Sequence, residues 1–285
     1  MTYAWLLLLF VVTPIFALTL LTFRDYAQKR GQGRKALGWS PLVILAALVV
    51  VATLYTAPWD NHMIAIGVWW YQPALISGIF LGSLPLEELL FFPLQTLLIG
   101  LWFIWQAPRF VSQRDIAGAG ADGGAGDKAA GSASGSSGAG NARLIATVAG
   151  ACLWLIALAI LWLGWRPGTY LGWELAWALP PMILQVGLGG DILWRYHRLL
   201  VAVLVPPVIY LGLVDALAIH EGIWTIDPRQ SLGVLIGGQL PLEELVFFTL
   251  TSALVAFGLV LGIAIESRRR LRSYHALLAL SHERE

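Results

Sequence analysis

The stretch Leu84-Pro85-Leu86-Glu87-Glu88-Leu89-Leu90-Phe91-Phe92 occurs twice in this chain. The second copy is Leu240-Pro241-Leu242-Glu243-Glu244-Leu245-Val246-Phe247-Phe248, and it differs only where Val246 replaces Leu90. Both copies lie in long apolar runs, where adjacent carboxyl groups are unfavourable unless they are paired, hydrated or protonated. The repetition therefore indicates a functional site built around four glutamates.

The composition indicates a membrane protein. The chain has 285 residues, of which 58% are hydrophobic and 12% charged, and its mean hydropathy is +0.73. A soluble domain contains about 25% charged residues, and a spanning helix needs about 20 mainly apolar ones. We therefore predict an all-α membrane protein with seven transmembrane helices, near 3–23, 40–57, 75–105, 143–164, 170–190, 199–219 and 231–264.

The basic residues predict the orientation of the chain in the membrane. Sixteen of the 18 Lys and Arg residues follow the first, third and fifth apolar runs or lie in the tail 266–285, and Arg166 and Arg229 are the two on the opposite side. Cytoplasmic segments carry an excess of Lys and Arg. We expect an integral protein of a bacterial cell membrane, with its N-terminus outside and its C-terminal tail in the cytoplasm.

The two copies of the motif belong to a larger internal repeat. At an offset of 155 residues Tyr55 matches Tyr210, Asp60 matches Asp215 and Trp69 matches Trp224, and at an offset of 167 Tyr3 matches Tyr170. Each half, 1–105 and 170–265, then contains three helices. A fourth helix within 106–169 restores the direction of the chain, so we predict parallel repeats related by an axis along the membrane normal.

The joint between the repeats also contains residues 117–142, which are almost entirely Gly, Ala and Ser. This composition is typical of a flexible linker. The segment includes a literal GxGxxG match at 118–123, but no apolar strand precedes it and no helix start follows. The sequence therefore predicts neither a dinucleotide nor any other cofactor, and it offers no spacing of His, Cys, Asp or Glu that is typical of a metal site.

The depth and the charge of the acids follow from where their helices begin. If the third helix starts at Pro73, Glu87 lies about 20 Å along it, near the middle of the membrane. Burial and like-charged neighbours would then favour neutral acids, whereas a helix that restarts at Pro85 or Pro241 would favour charged ones through its dipole. The pairs Gly78/Gly82 and Gly233/Gly237 have the spacing of a small-residue helix interface.

The residues around the acids suggest a chemistry. Glu88 shares a helix face with Phe91 and Phe92, and the second repeat has Glu244, Phe247 and Phe248 at the same spacing. Aromatic faces attract cations, so acids beside them suit the protonation of an alkene and the stabilisation of a carbocation. The competing interpretation is that each acid forms a helix–helix hydrogen bond.

Asp60, Asp215, Trp69 and Trp224 accompany the motif in each half and have two interpretations each. The aspartates can cap or solvate helix ends, or they can orient the site. The tryptophans can belong to an interfacial belt, or they can line a pocket.

At these residues the chain resembles the membrane-integral, flavin-free lycopene cyclases, in the form of a single-chain fusion of the two small bacterial subunits. The resemblance rests on Asp-x6-Gly-x-Trp followed by Pro-x-Glu-Glu-x-x-Phe-Phe, once in each half. It implies an intramolecular lyase or isomerase of carotenoid biosynthesis that cyclises the ψ-ends of lycopene without net redox change. Lycopene reaching the site from the bilayer is the implied substrate, and other enzymes of that pathway are implied partners.

The resemblance implies an acid–base set of Glu87, Glu88, Glu243 and Glu244, with the four phenylalanines lining the site. We expect β-rings, giving γ- and then β-carotene, although the sequence leaves ε- and γ-rings, one site or two, and the individual roles of the acids open. The alternative function is a proton-coupled transporter that uses carboxylates within the membrane. The net charge of +1 gives no indication of a nucleic-acid partner.

Overall fold

Seven helices form the architecture. The computed structural model describes residues 1–30, 41–110 and 133–264, and within them seven helices are long and apolar enough to cross a membrane. The first combines α1 (Tyr3–Leu7), a π-helical segment (Leu8–Val12) and α2 (Thr13–Arg30). The others are α3 (Pro41–Ala65), α4 (Leu86–Phe110), α5 (Ala133–Trp162), α6 (Thr169–Arg195), α7 (His197–His220) and α8 (Leu242–Ile263). The predicted fold class is confirmed.

The predicted starts of the third and seventh spans are wrong. Helices α4 and α8 begin at Leu86 and Leu242, 11 residues after the predicted positions 75 and 231. The preceding residues form two short hairpins, β2 (Phe80–Leu81) with β3 (Leu84–Pro85) and β5 (Leu235–Ile236) with β6 (Leu240–Pro241). A proline has no N–H with which to continue a helical ladder, so each helix starts directly after it. The glutamates therefore lie in the first helical turn, which is the second of the two positions that the sequence left open.

The predicted glycine interfaces are wrong for the same reason. Gly78, Gly82, Gly233 and Gly237 have φ between +62° and +76°, a left-handed conformation that glycine adopts without the steric cost of a Cβ. They turn the chain within the segments that contain the hairpins. A close approach of two helices occurs instead at Gly100 of α4, where an added Cβ would collide with the Leu45 side chain of α3.

Reciprocal contacts relate the two repeats by an approximate two-fold axis. Strand β1 (Trp69–Tyr71) pairs antiparallel with β4 (Trp224–Ile226), its equivalent in the second repeat. Gln95 Nε2 donates to Thr251 Oγ1 over 2.7 Å, again between equivalent positions. Two further hydrogen bonds form a matched pair: the Tyr55 hydroxyl donates to the Trp177 carbonyl at 2.8 Å, and the Tyr210 hydroxyl to the Phe10 carbonyl at 2.7 Å.

The interface between the repeats is formed by α4 and α8, with α3 packed on α8 and α7 packed on α4. Helix α5 packs on α6 at the outside of the bundle. Only 6% of its apolar, potentially membrane-spanning stretch is buried within the protein. Most of the predicted linker 117–142 and the whole of the tail 266–285 lie outside the described residues. Helix α5 already begins at Ala133, within the predicted linker.

Candidate active site

A cavity lies where the two repeats meet, at the end of the bundle that carries strands β1 and β4. Both repeats contribute acids, tyrosines and aromatic rings to its wall. The first contributes Tyr3, Trp59, Asp60, Trp69, Tyr71, Glu88 and Phe91, and the second contributes Tyr170, Asp215, Trp224, Glu244, Phe247 and Phe248. The repeats therefore form one shared site here, the acid cavity.

Glu88 is held by two tyrosines. The Tyr3 hydroxyl donates to Glu88 Oε2 over 2.6 Å, and the Tyr71 hydroxyl donates to the same oxygen over 2.8 Å. Tyr71 lies on β1, outside the spanning helices, and burial together with the Glu88 carboxylate raises the pKa of its hydroxyl well above the ordinary value. Tyr71 therefore keeps its proton and remains a hydrogen-bond donor.

Glu244 has a smaller set of partners. Tyr170, the equivalent of Tyr3, donates to Glu244 Oε1 over 2.7 Å. The position equivalent to Tyr71 is Ile226, which has no polar side-chain atom. The two cavity acids thus differ by one tyrosine hydrogen bond.

The first acid of each motif is bound to a hairpin segment. Glu87 accepts hydrogen bonds from the Ser77 backbone N–H at 2.6 Å and from its hydroxyl at 3.0 Å. Glu243 accepts from the Leu232 backbone N–H at 2.7 Å, and its Oε2 is buried with no hydrogen-bond partner in the part of the chain that the structure describes. Glu87 and Glu243 are both buried, and the wall of the acid cavity is formed by Glu88 and Glu244 instead.

The predicted aspartates and tryptophans line the same cavity. Asp60 and Asp215 are buried, and each interacts electrostatically with both Glu88 and Glu244. Asp215 also forms a hydrogen bond with Trp224. The remaining predicted residues of the site, Pro85 and Pro241, are buried in β3 and β6 directly before the acids.

Aromatic rings close the opposite side of the cavity. Trp59 stacks on Trp177 with a centroid separation of 4.6 Å and on Phe247 at 5.9 Å, and Phe91 meets Phe248 edge to face at 6.4 Å. Phe92, by contrast, lines a neighbouring cavity rather than this one. The acids therefore face a wall made mainly of π-systems and aliphatic side chains.

Four site residues were not predicted from the sequence. Tyr3 and Tyr170 were matched between the repeats but not assigned to the site, and the signal that could have identified them was a polar group repeated at equivalent positions. Tyr71 has no counterpart and gave no such signal. Glu174 is completely buried on α6, near Glu244, and neither of its carboxyl oxygens has a hydrogen-bond partner among the described residues.

This arrangement suits proton transfer to and from an apolar molecule. Two carboxyl groups in one cavity can act as an acid and a base, and the surrounding rings can stabilise a positive charge between them. Among the described residues near Glu88 and Glu244 in this wall there is no Lys or Arg, so a developing cation would not be repelled by a neighbouring fixed positive charge.

Comparison with known proteins points to one family. The family model described as "Lycopene cyclase" matches residues 1–105 and 167–261. A lycopene beta-cyclase of Halobacterium salinarum is 33% identical over 227 residues, covering 78% of this chain and 83% of its own. A bifunctional lycopene cyclase/phytoene synthase of Podospora anserina is 34% identical over 224 residues, covering 75% of this chain and 34% of its own. No solved structure matches the chain.

The tyrosine hydrogen bonds predict unequal effects on stability. Tyr170→Phe removes the hydroxyl that donates to Glu244, whereas Tyr71→Phe leaves Glu88 with the hydrogen bond from Tyr3. A buried acceptor that loses its partner costs about 1–3 kcal/mol. The apparent melting temperature in detergent should therefore fall further for Tyr170→Phe than for Tyr71→Phe, and equal decreases would contradict this difference.

Proposed function

The chain belongs to the lycopene cyclase family and is an enzyme that cyclises lycopene, and we propose that the reaction takes place in the acid cavity between its two repeats. The observation that carries this proposal is the pair of glutamates, Glu88 and Glu244, in one buried cavity walled by aromatic rings. Both come from the repeated motif, and both face the interior of the cavity rather than lipid.

We propose that Glu244 is the acid and Glu88 the base. The Glu244 carboxyl transfers a proton to the terminal double bond of lycopene, which leaves a tertiary cation. The nearby internal double bond attacks this cation and closes a six-membered ring with a new C–C bond. The Glu88 carboxylate then removes a proton from a carbon next to the new cation, and a ring double bond forms without net redox change.

The assignment of roles rests on the hydrogen bonds. Two hydroxyl donors at Glu88 Oε2 stabilise a negative charge on that group better than the one donor at Glu244 does. A base has to be ionised before the reaction, and an acid has to carry its proton. The replacement of Tyr71 by Ile226 in the second repeat therefore favours Glu88 as the base.

The walls of the cavity have two functions in this mechanism. The rings of Trp59, Phe91, Phe247 and Phe248 offer their negative faces to a cation. The apolar walls also have to keep water away from the cation, because water would trap it as an alcohol. We propose that Glu87 and Glu243 act by positioning, because their carboxyl groups hold the backbone of Ser77 and Leu232 against the helix starts.

One turnover moves a proton from Glu244 to Glu88, so the proton has to return. Asp60 and Asp215 lie in the same cavity and each is close enough to both glutamates to interact with them electrostatically. Each also has a buried Oδ2 with no hydrogen-bond partner in the described residues. We propose that these aspartates carry the proton back.

The product proposed for this chain is the β-ring, first in γ-carotene and then in β-carotene. The support comes from the relative in Halobacterium salinarum, which is named a lycopene beta-cyclase. The proton-coupled transporter gains no support from the relatives, which are named as cyclases.

We propose that the acid cavity lies toward the outer face of the membrane. The support is the distribution of Lys and Arg, which places the N-terminus outside, and Tyr3 at that end of the chain lines the cavity. A reporter fused after Glu285 and active only in the cytoplasm should be active. A second fusion within the loop that contains Arg229 should be inactive, and the reverse pattern would contradict the orientation.

Expression in lycopene-producing bacteria tests the function. Pigments extracted from cells that contain the protein should show lycopene replaced by γ- and β-carotene on chromatography. The matched control is a cell line with the Glu88→Gln, Glu244→Gln double variant at the same protein level. Unchanged lycopene in cells with the unaltered protein would refute the proposed function.

Single glutamine variants test the roles of the four acids. Because Gln has the shape of Glu and keeps one oxygen that can accept a hydrogen bond, these variants remove mainly the proton chemistry. Glu88→Gln and Glu244→Gln should each lower conversion by about 100-fold or more, whereas Glu87→Gln and Glu243→Gln should stay within about ten-fold of the parent.

The products of the two cavity variants should differ. Without the acid, Glu244→Gln should leave lycopene unchanged. Without the base, Glu88→Gln should still form some cation, which then gives small amounts of other ring isomers or of a cyclic alcohol. The opposite distribution of products would reverse the assignment of acid and base.

A further inference from the structure

A second cavity lies between α3, α4, α6 and α8, further along these helices from the hairpins than the acid cavity. Most of its lining is apolar, and the aliphatic members include Leu48, Val51, Ala52, Ile99, Leu254 and Val255. Two of its polar members are hydrogen-bonded within the protein: Gln95 donates to Thr251 over 2.7 Å, and Gln185 donates to the Leu254 carbonyl over 2.9 Å. Gln185 Oε1 is buried with no hydrogen-bond partner among the described residues. The cavity therefore suits a hydrocarbon.

One ring connects this cavity with the acid cavity. Phe247 belongs to the walls of both, and it stacks with Trp59 at 5.9 Å and with Trp177 at 6.1 Å. The two spaces are therefore neighbours separated by aromatic side chains, which can rotate or shift without breaking a hydrogen-bonded backbone.

The second cavity also lies beside the lipid. Helices α3 and α6 both pack on α8, and contacts described between α3 and α6 are aromatic ones toward the hairpin end, such as the Tyr55–Trp177 pair. Further from that end the lipid-facing surface of the two helices includes Val51, Leu54 and Leu184, which are 61%, 71% and 62% exposed. Val51 also lines the cavity, so the cavity adjoins the bilayer side of the bundle.

We propose that this second cavity binds the polyene chain of the substrate while the end of the same molecule lies in the acid cavity. The inference rests on the proposed function. A carotenoid is a long chain, so the part that is not reacting needs an apolar channel that leads away from the acids. The second cavity borders the acid cavity at Phe247 and borders the bilayer at Val51, which is the path such a chain requires.

The inference also explains why Phe92 differs from the other three phenylalanines of the repeated motif. Phe92 lines the second cavity, together with Phe247 from the other repeat. The repeated Phe-Phe pairs would therefore contact two parts of the bound chain: Phe91, Phe247 and Phe248 lie near the reacting end, and Phe92 lies beside the polyene.

A phenylalanine introduced at Ala52 tests the proposal. Ala52→Phe fills the second cavity without touching the acids, and Ala47→Phe adds the same side chain to an exposed position of the same helix. The added ring occupies space that the polyene chain needs, so Ala52→Phe should lower lycopene conversion by about ten-fold or more, while Ala47→Phe should remain close to the parent. Full conversion by Ala52→Phe, or equal losses in both variants, would overturn the proposal.

A binding measurement separates this inference from the proposed function. Each substitution is placed in a Glu244→Gln background, the protein is purified from lycopene-producing cells, and the lycopene retained per protein is measured by absorbance. Ala52→Phe should lose most of the retained pigment and Ala47→Phe should keep it. This result would support the polyene site even if the unaltered protein left lycopene uncyclised, and equal retention in both would overturn it.

If Ala52→Phe accumulates poorly in the cells, a smaller substitution at the same position tests the proposal. Ala52→Val adds two methyl groups and should reduce both conversion and retained pigment in the same direction, to a smaller extent. Melting curves of both variants show whether they are folded. A folded Ala52→Val that retains as much pigment as the parent would overturn the proposal.

Discussion

The hydrogen bonds between tyrosine hydroxyls and buried glutamates are the interactions on which the site depends. A carboxyl group removed from water needs hydrogen-bond donors, and in this chain the donors come from other helices or strands than the acids. Tyr3 of α1 and Tyr71 of β1 reach Glu88 of α4, and Tyr170 of α6 reaches Glu244 of α8. The same hydrogen bonds that stabilise the buried acids therefore hold the first helix of each repeat against the helix that carries the motif.

The first turns of α4 and α8 stabilise these acids better than a position in the middle of a helix would. The unpaired N–H groups of a first turn and the helix dipole both favour a carboxylate. The hairpins before each helix add further donors, since Glu87 receives the Ser77 N–H and Glu243 the Leu232 N–H. One acid of each pair thus binds the hairpin segment, and the other is left facing the cavity.

The internal repeat made part of the fold predictable from the sequence. The hairpins and the tyrosine contacts were missed because the repeat does not indicate them. Seven apolar runs were sufficient for the number of helices, and the matching motifs singled out Glu88 and Glu244, which lie in the wall of one cavity. The hairpins were missed because Ile79, Phe80 and Leu81 are as apolar as a spanning helix, although these three residues are exposed at the end of the bundle. The roles of Tyr3 and Tyr170 depend on contacts between helices that are far apart in sequence, and no local pattern contains that information.

The departures from the repeat matter as much as the repeat itself. A site with perfect two-fold symmetry would give Glu88 and Glu244 identical surroundings, and identical groups have no preference for donating or accepting a proton. Three differences between the halves fall next to the acids: Tyr71 against Ile226, Ser77 against Leu232, and Leu7 against Glu174. Each changes the number of hydrogen bonds or charges around one motif and not the other. A duplicated fold would then supply two similar carboxyl groups at matching depth, and a few substitutions would suffice to make one an acid and the other a base.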